Sequence, residues 1–201
     1  MNKDQKLLEE AYQSIYESVR EPLYFGPEEQ ERKWMKWLKK LKHEVHEDGS
    51  VSIHETAYLE SKSLQRLPFN FKKVTQDFWC VRNNLTSLEG APKEVGGNFF
   101  CDHNNLTTLE GAPIKVGKVF NCCNNNLTSL KGAPKEVGGI FWCLGNPLNS
   151  LEGAPEVIGE KFGSDQFSDE DYRNFVKKRE LSRRVSKELD PEFDIDLKDF
   201  S

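Results

Sequence analysis

Residues 85–105 read LTSLEGAPKEVGGNFFCDHNN, and the chain that follows repeats them as LTTLEGAPIKVGKVFNCCNNN over 106–126 and LTSLKGAPKEVGGIFWCLGNP over 127–147. The period is a strict 21 residues. It aligns Leu85, Leu106, Leu127 and Leu148 in one column and Leu67, Leu88, Leu109, Leu130 and Leu151 in another. Further columns are Val74, Val95, Val116, Val137 and Ile158; Phe78, Phe99, Phe120, Phe141 and Phe162; Cys80, Cys101, Cys122 and Cys143; and Asn83, Asn104, Asn125 and Asn146. Gly-Ala-Pro recurs at 90–92, 111–113, 132–134 and 153–155, each time after Glu or Lys. A fixed period of this length marks a solenoid, in which one turn cannot bury its apolar side chains alone and depends on its neighbours.

One turn reads V-G-G-x-F-x-C-x-x-N-x-L-x-x-L-x-G-A-P-x-x, and this leucine spacing resembles the leucine-rich repeats. It is similar to the short bacterial repeats of secreted effectors, with one residue more per turn around the Gly96-Gly97 and Gly138-Gly139 pairs, and more similar still to the LTSLEGAPKEVGG arrays of tailed-bacteriophage proteins. The resemblance covers Ile53 to Phe162. It implies an α+β solenoid, a leucine-rich repeat with short parallel strands, an N-terminal helical cap and a C-terminal helix. The expected division is 1–50 for the N-terminal helices and cap, 51–163 for about five turns, and 164–201 for the C-terminal helix and acidic tail.

Residue chemistry supplies the rest of the expectation. Phe99 and Cys101 are two apart, so in an extended segment both face inward while Phe100 and Asp102 face out. The Asn column falls where the chain leaves the strand, where a buried amide satisfies backbone groups of its own and the adjacent turn. Pro92 fixes φ, and no helix signal occurs within a turn, which predicts strands on one face and irregular connections on the other. Before the array, Leu7, Leu8, Ala11, Tyr12, Ile15 and Val19 form one helical stripe, and Pro27 opens a second helix with Trp34, Trp37, Leu38, Leu41 and Val45 on one face. That helix is expected to cap the first turn on Phe69 and Phe71, leaving Arg32, Lys33, Lys36, Lys39, Lys40 and Lys42 solvated. After the array, Ser168 and Asp171 form a capping box for a helix through Leu189, whose Tyr172, Phe175, Val176 and Val185 close the other end. In the final acidic stretch, Phe193, Ile195 and Leu197 alternate like an edge strand.

Composition narrows the function. Lys plus Arg number 28 against 33 Asp plus Glu, for a net charge of -5, which argues against a general phosphate-backbone binder. No apolar run is long enough to span a bilayer, and the first residues match neither a secretory signal nor a transit peptide, so a cytoplasmic setting is expected. Equivalent cysteines on stacked strands are about 4.8 Å apart in a line, which cannot converge on zinc. They read as core thiols, whereas Cys123 breaks the column and is expected to be the reactive one. His43 and His46, near Glu47 and Asp48, lack further ligands at metal spacing. With no nucleophile elbow, phosphate loop or paired catalytic carboxylates, neither an enzyme nor a cofactor is expected.

The outward strand face carries the functional expectation. Between each inward Phe and Cys stand Tyr58, Trp79, Phe100, Asn121 and Trp142. Two residues on come Glu60, Val81, Asp102, Cys123 and Leu144, followed by Ser61, Arg82, His103, Asn124 and Gly145. Large aromatics on a wet face make interface hot spots, so Tyr58, Trp79, Phe100, Trp142, Val81, Arg82, Asp102, His103 and Leu144 are the expected partner-binding residues. The partner is expected to be a protein, by resemblance a host bacterial protein that the chain blocks or redirects. Self-association and cover by the chain's own N-terminal or C-terminal segment are alternatives, and a nucleic acid ranks below protein because Arg82 is the positive charge on this face. A rival expectation is a packaged or structural virion component in the virion interior. It rests on Ser14-Ile15-Tyr16-Glu17 and Leu7-Leu8-Glu9, which resemble the I-x-E and L-x-E sites of T4-like prohead proteases.

Overall fold

The computed structural model of the chain describes residues 27–189. The expected first helix, the protease-like tripeptides and the 193–197 alternation lie outside them. Helix α1 (Pro27–Leu38) is followed by β1 (His43–Val45), β2 (Val51–Ile53) and β3 (Ala57–Tyr58). Each turn then adds two short strands: β4 (Phe71–Val74) and β5 (Phe78–Trp79), β6 (Glu94–Val95) and β7 (Phe99–Phe100), β8 (Lys115–Val116) and β9 (Phe120–Asn121), β10 (Glu136–Val137) and β11 (Phe141–Trp142), β12 (Val157–Ile158) and β13 (Phe162–Gly163). Helix α2 (Asp169–Leu189) ends the described chain.

The strands form two sheets, one ordered β1-β2-β4-β6-β8-β10-β12 and one ordered β13-β11-β9-β7-β5-β3. Apart from β1, every pairing is parallel and, but for a register shift between Val51 and Ser52 where β2 meets β4, joins equivalent residues of successive turns, such as Val95 with Val116 and Phe99 with Phe120. The chain is therefore a β-solenoid of about five turns. The expectation of irregular connections opposite a single sheet is corrected, because the Glu-Val segments build a second sheet. The glycines after each Val let successive backbones approach and bond, Gly96 N–H to Val74 O at 2.9 Å and Gly117 N–H to Val95 O at 2.8 Å.

Between the sheets runs a stack of rings, Phe78, Phe99, Phe120, Phe141 and Phe162, with adjacent centroids 5.2–5.8 Å apart and planes within 12° of parallel. Tyr172 of α2 adds a sixth ring, 5.0 Å beyond Phe162. The Val column, both Leu columns and the four column thiols complete the core, nearly all fully buried. Each thiol donates across to a carbonyl one turn on, Cys80 Sγ to Phe100 O at 3.4 Å and Cys143 Sγ to Gly163 O at 3.2 Å. The Asn column forms the expected ladder. Asn104 Nδ2 donates to Cys80 O and Cys101 O, each at 3.0 Å, while its Oδ1 accepts from Leu85 N at 3.0 Å; Asn125 repeats this one turn on. Removing either amide strands several buried backbone groups, so Asn104→Ala or Asn125→Ala is expected to cost about 1–3 kcal/mol, while exposed Asn105→Ala costs close to zero. Equal urea midpoints for the three variants would show the ladder to be energetically idle.

Both ends are closed by side chains. Leu38 and Trp34 are buried, and Trp37 stacks on Phe69 at 6.3 Å and meets Phe71 edge-on at 6.5 Å, as expected of a cap. The helix, however, stops at Leu38, and Val45 lies in β1, antiparallel to β2. Asp48-Gly49 turns the hairpin: Gly49 has φ 77°, Ser50 N–H donates to Asp48 Oδ1 at 3.0 Å, and His46 N–H bonds Ser50 O. Trp37 packs on the core from the helix, and Leu41 and Val45 from the following turn and strand, rather than all three from one helical face. At the other end the Ser168–Asp171 capping box forms, with Asp171 N–H to Ser168 Oγ at 3.1 Å and Ser168 N–H to Asp171 Oδ2 at 2.8 Å. Arg179 anchors α2 on Ala154 O and Pro155 O. Val185 is 44% exposed, so its expected role in closing this end is corrected: it and Leu181 point away from the face of α2 that carries Tyr172 and Arg179.

Candidate functional site

The outward face of the six-stranded sheet gathers the residues singled out from the sequence, in two groups. Tyr58, 56% exposed, leans on half-buried Trp79 at 6.1 Å, and Trp79 contacts Phe100 at 4.3 Å, so three rings on consecutive strands form one platform. Asn121 interrupts it. Its Nδ2 donates to Asp102 Oδ1 at 3.1 Å and its Oδ1 accepts from Cys123 N at 3.0 Å. Trp142 therefore stands alone two strands past Phe100, about 10 Å at ordinary strand spacing, over the Cα of Gly163 and under the ammonium of Lys161 at 5.5 Å. Trp79 Nε1 is shut off from solvent and has no hydrogen-bond acceptor among the described residues.

The flanking column is less exposed than an outward strand position suggests. Val81 is buried at 8%, the Asp102 side chain is 18% exposed, and Leu144 and Cys123 are half-buried. Burial pushes the Asp102 carboxyl above the usual carboxylate range, an effect opposed by backbone hydrogen bonding and the charges of His103 and Arg82. His103 Nε2 lies 3.9 Å from Asp102 Oδ2. Cys123 is half-buried where the four column thiols are buried, and burial pushes its thiol up to about 11. The column thiols are pushed up further by the same cause, Cys143 to about 12.

Arg82 and His103 are exposed at the margin of the face. They occupy a corner at which Ser61, Arg82, His103, Asn124 and Gly145 all have left-handed φ, between 52° and 69°. This conformation costs a residue with a Cβ roughly 1 kcal/mol and turns the chain from the strand into the Asn column.

A third column went unnoticed in the sequence. Asp77, Asn98, Val119 and Ile140 are half-buried on the same face. Asp77 Oδ1 accepts from Asn98 N at 2.7 Å and Asn98 Nδ2 at 3.0 Å, and Asn98 Oδ1 accepts from Val119 N at 3.1 Å. The signal was available, since these residues lie two before the aromatic column and so share its side of the strand. The face thus divides into an aromatic and acidic half around Tyr58, Trp79 and Phe100, and an uncharged, largely apolar half formed by Val119, Ile140, Trp142 and Leu144.

Among the described residues no group of three or more His, Cys, Asp or Glu side chains is placed to hold a metal ion. His43 and His46 lie on and beside β1, bonded to Leu41 O and Ser52 Oγ at 2.9 and 2.8 Å, rather than paired on a helix. No helix among the described residues is long and apolar enough to cross a membrane. The fold and this face define a β-solenoid presenting an aromatic strip. No family model matches the chain, and no curated protein or solved structure matches it.

Proposed function

We propose that the protein is a non-enzymatic binding module of the short leucine-rich-repeat kind, docking a protein partner on the outward face of the six-stranded sheet. The observation that carries this is the contiguous platform of Tyr58, Trp79 and Phe100, rigid rings on backbone fixed by neighbouring turns. Rings of this type bury large area at small entropic cost, and the shielded indole N–H of Trp79 gains an acceptor if a partner carbonyl reaches it after a turn of the ring. The resemblance of the repeats to bacteriophage arrays supports a host bacterial protein as the partner, bound in the cytoplasm and blocked or redirected.

The test is capture of the partner from bacterial lysate with the intact chain, then titration with variants checked for unchanged folding. Trp79→Ala and Phe100→Ala are each expected to lose about 2 kcal/mol of binding, roughly thirtyfold in Kd, and less than additively together because the rings touch. Trp142→Ala acts independently. Charge removal at Lys39, Lys40 and Lys42 on the cap changes association rate and salt dependence more than affinity. If the aromatic variants bind like the parent while the lysine variant fails, the working surface is the cap.

A further inference from the structure

The two indoles of the six-stranded sheet differ in what lies over them. Lys161 places its ammonium 5.5 Å from the Trp142 centroid. It belongs to the column running Thr56, Asp77, Asn98, Val119, Ile140, Lys161, and reaches Trp142 from one turn beyond. The residue in the same relation to Trp79 is Asn98, a neutral amide engaged with Asp77 and Val119 N. The Trp79 end nevertheless offers the greater ring area, with Tyr58 at 6.1 Å and Phe100 at 4.3 Å. It is also bracketed by carboxylates: Glu60 two residues past Tyr58, Asp77 two before Trp79 and Asp102 two past Phe100. Asp77 and Asp102 are held in place, by Asn98 and by Asn121. Arg82 and His103 stand on the left-handed corner at its edge, His103 Nε2 3.9 Å from Asp102 Oδ2, while these three ring faces carry no cation of the chain's own among the described residues.

Ring faces are electronegative, and a half-buried carboxylate beside them strengthens the attraction for a cation while burial weakens solvent competition. The built-in contact at Trp142 shows the geometry this sheet gives such a pair. Resting on the proposed protein-binding face, we infer that the Tyr58–Trp79–Phe100 half is a receptor for a cationic side chain of the partner, bracketed by Glu60, Asp77 and Asp102, while apolar neighbours of that cation fall on Val119, Ile140, Trp142 and Leu144. Arginine suits it better than lysine, since a planar guanidinium stacks on rings and bonds a carboxylate at its edge.

The experiment is a titration of the full 15N-labelled chain, read at the indole Nε1–H resonances of Trp79 and Trp142. Three short peptides serve as probes, alternating leucine with arginine, with citrulline (the uncharged isostere) or with glutamate. The arginine peptide is expected to move the Trp79 resonance and to bind roughly tenfold more tightly than the citrulline peptide. That preference should fall below about threefold in the Glu60→Gln/Asp102→Asn double variant and vanish in Trp79→Leu, the spectrum itself reporting that each variant is folded. Equal affinity for arginine and citrulline peptides, or preference for the glutamate peptide, overturns the cation receptor. So do arginine-peptide shifts that persist unchanged in Trp79→Leu, which would mark diffuse attraction to an acidic chain. Concentration-dependent broadening of Trp79 without peptide would assign the face to a second copy and likewise overturn it. These failures leave the binding face standing, since that is tested separately by the response of the captured partner to Trp79→Ala and Phe100→Ala.

Discussion

Phe120→Ala is expected to lower stability by about 3–5 kcal/mol, toward the upper end of that range. Phe120 is fully buried at the middle of the ring stack, 5.3 Å from Phe99 and 5.2 Å from Phe141. A cavity costs less when its walls collapse into it, but here the walls are other turns, held at strand spacing by two hydrogen-bonded sheets. Phe99 and Phe141 cannot close the gap without breaking both ladders. Contacts in a solenoid run only to neighbouring turns, so the loss falls on the coupling between the two halves, and the unfolding transition should broaden as well as shift. Urea denaturation followed by circular dichroism measures both. A loss under about 1 kcal/mol would mean the stack contributes little and the sheets alone hold the turns together.

Gly117→Ala is expected to cost about 3 kcal/mol or more through overpacking of backbone on backbone. An ideal Cβ at Gly117 would fall on the carbonyl oxygen of Gly96, far inside van der Waals contact, and Gly138 and Gly159 stand in the same relation to the glycines before them. No rotamer relieves that clash, and the carbonyl involved belongs to the parallel stack. In the neighbouring column side chains stand at Gln76, Lys118 and Glu160, and a Cβ at Gly139 would meet the Lys118 carbonyl oxygen at 3.0 Å, tight without the overlap found at Gly117, so Gly139→Ala is expected to cost only about 1 kcal/mol. The contrast between two adjacent positions separates steric crowding from any general effect of removing glycine. The glycine column opens with Thr75, whose N–H bonds Ile53 O at 3.0 Å.

Much of this is visible in the residues themselves. Period 21 placed every core column, the thiols and the Asn ladder, because stacking makes equivalent positions equivalent in environment. The second sheet was harder to read: a two-residue strand such as Glu94–Val95 has no alternation to reveal it, and its evidence is the Gly-Gly that follows, which acts through backbone approach. The end of α1 was misplaced because Leu41 and Val45 keep a helical spacing by coincidence. Asp48-Gly49 was the competing signal, and the turn prevailed because the strand before it completes the edge of a sheet. The aromatic face was legible by parity, but its division was not, since Asn121 breaks the platform through bonds to Asp102 and Cys123 that spacing alone does not reveal. The Asp77–Ile140 column contains no aromatic residue, so parity alone gives it no prominence.

One strand runs against the others, and it has a consequence for copies of the molecule. A stack of near-identical turns joined by parallel hydrogen bonds is a template for endless growth: the last turn of one chain presents what the first turn of the next would accept, and such a product is a filament. In the sheet that begins with β1, the direction reverses before the end, so β12 of another chain meets an antiparallel neighbour in place of the parallel one it is built to join. The hairpin turned by Asp48 and Gly49 is in this sense a polarity stop on that edge, while α2, packed over Phe162 and Pro155, covers the last turn at the opposite end.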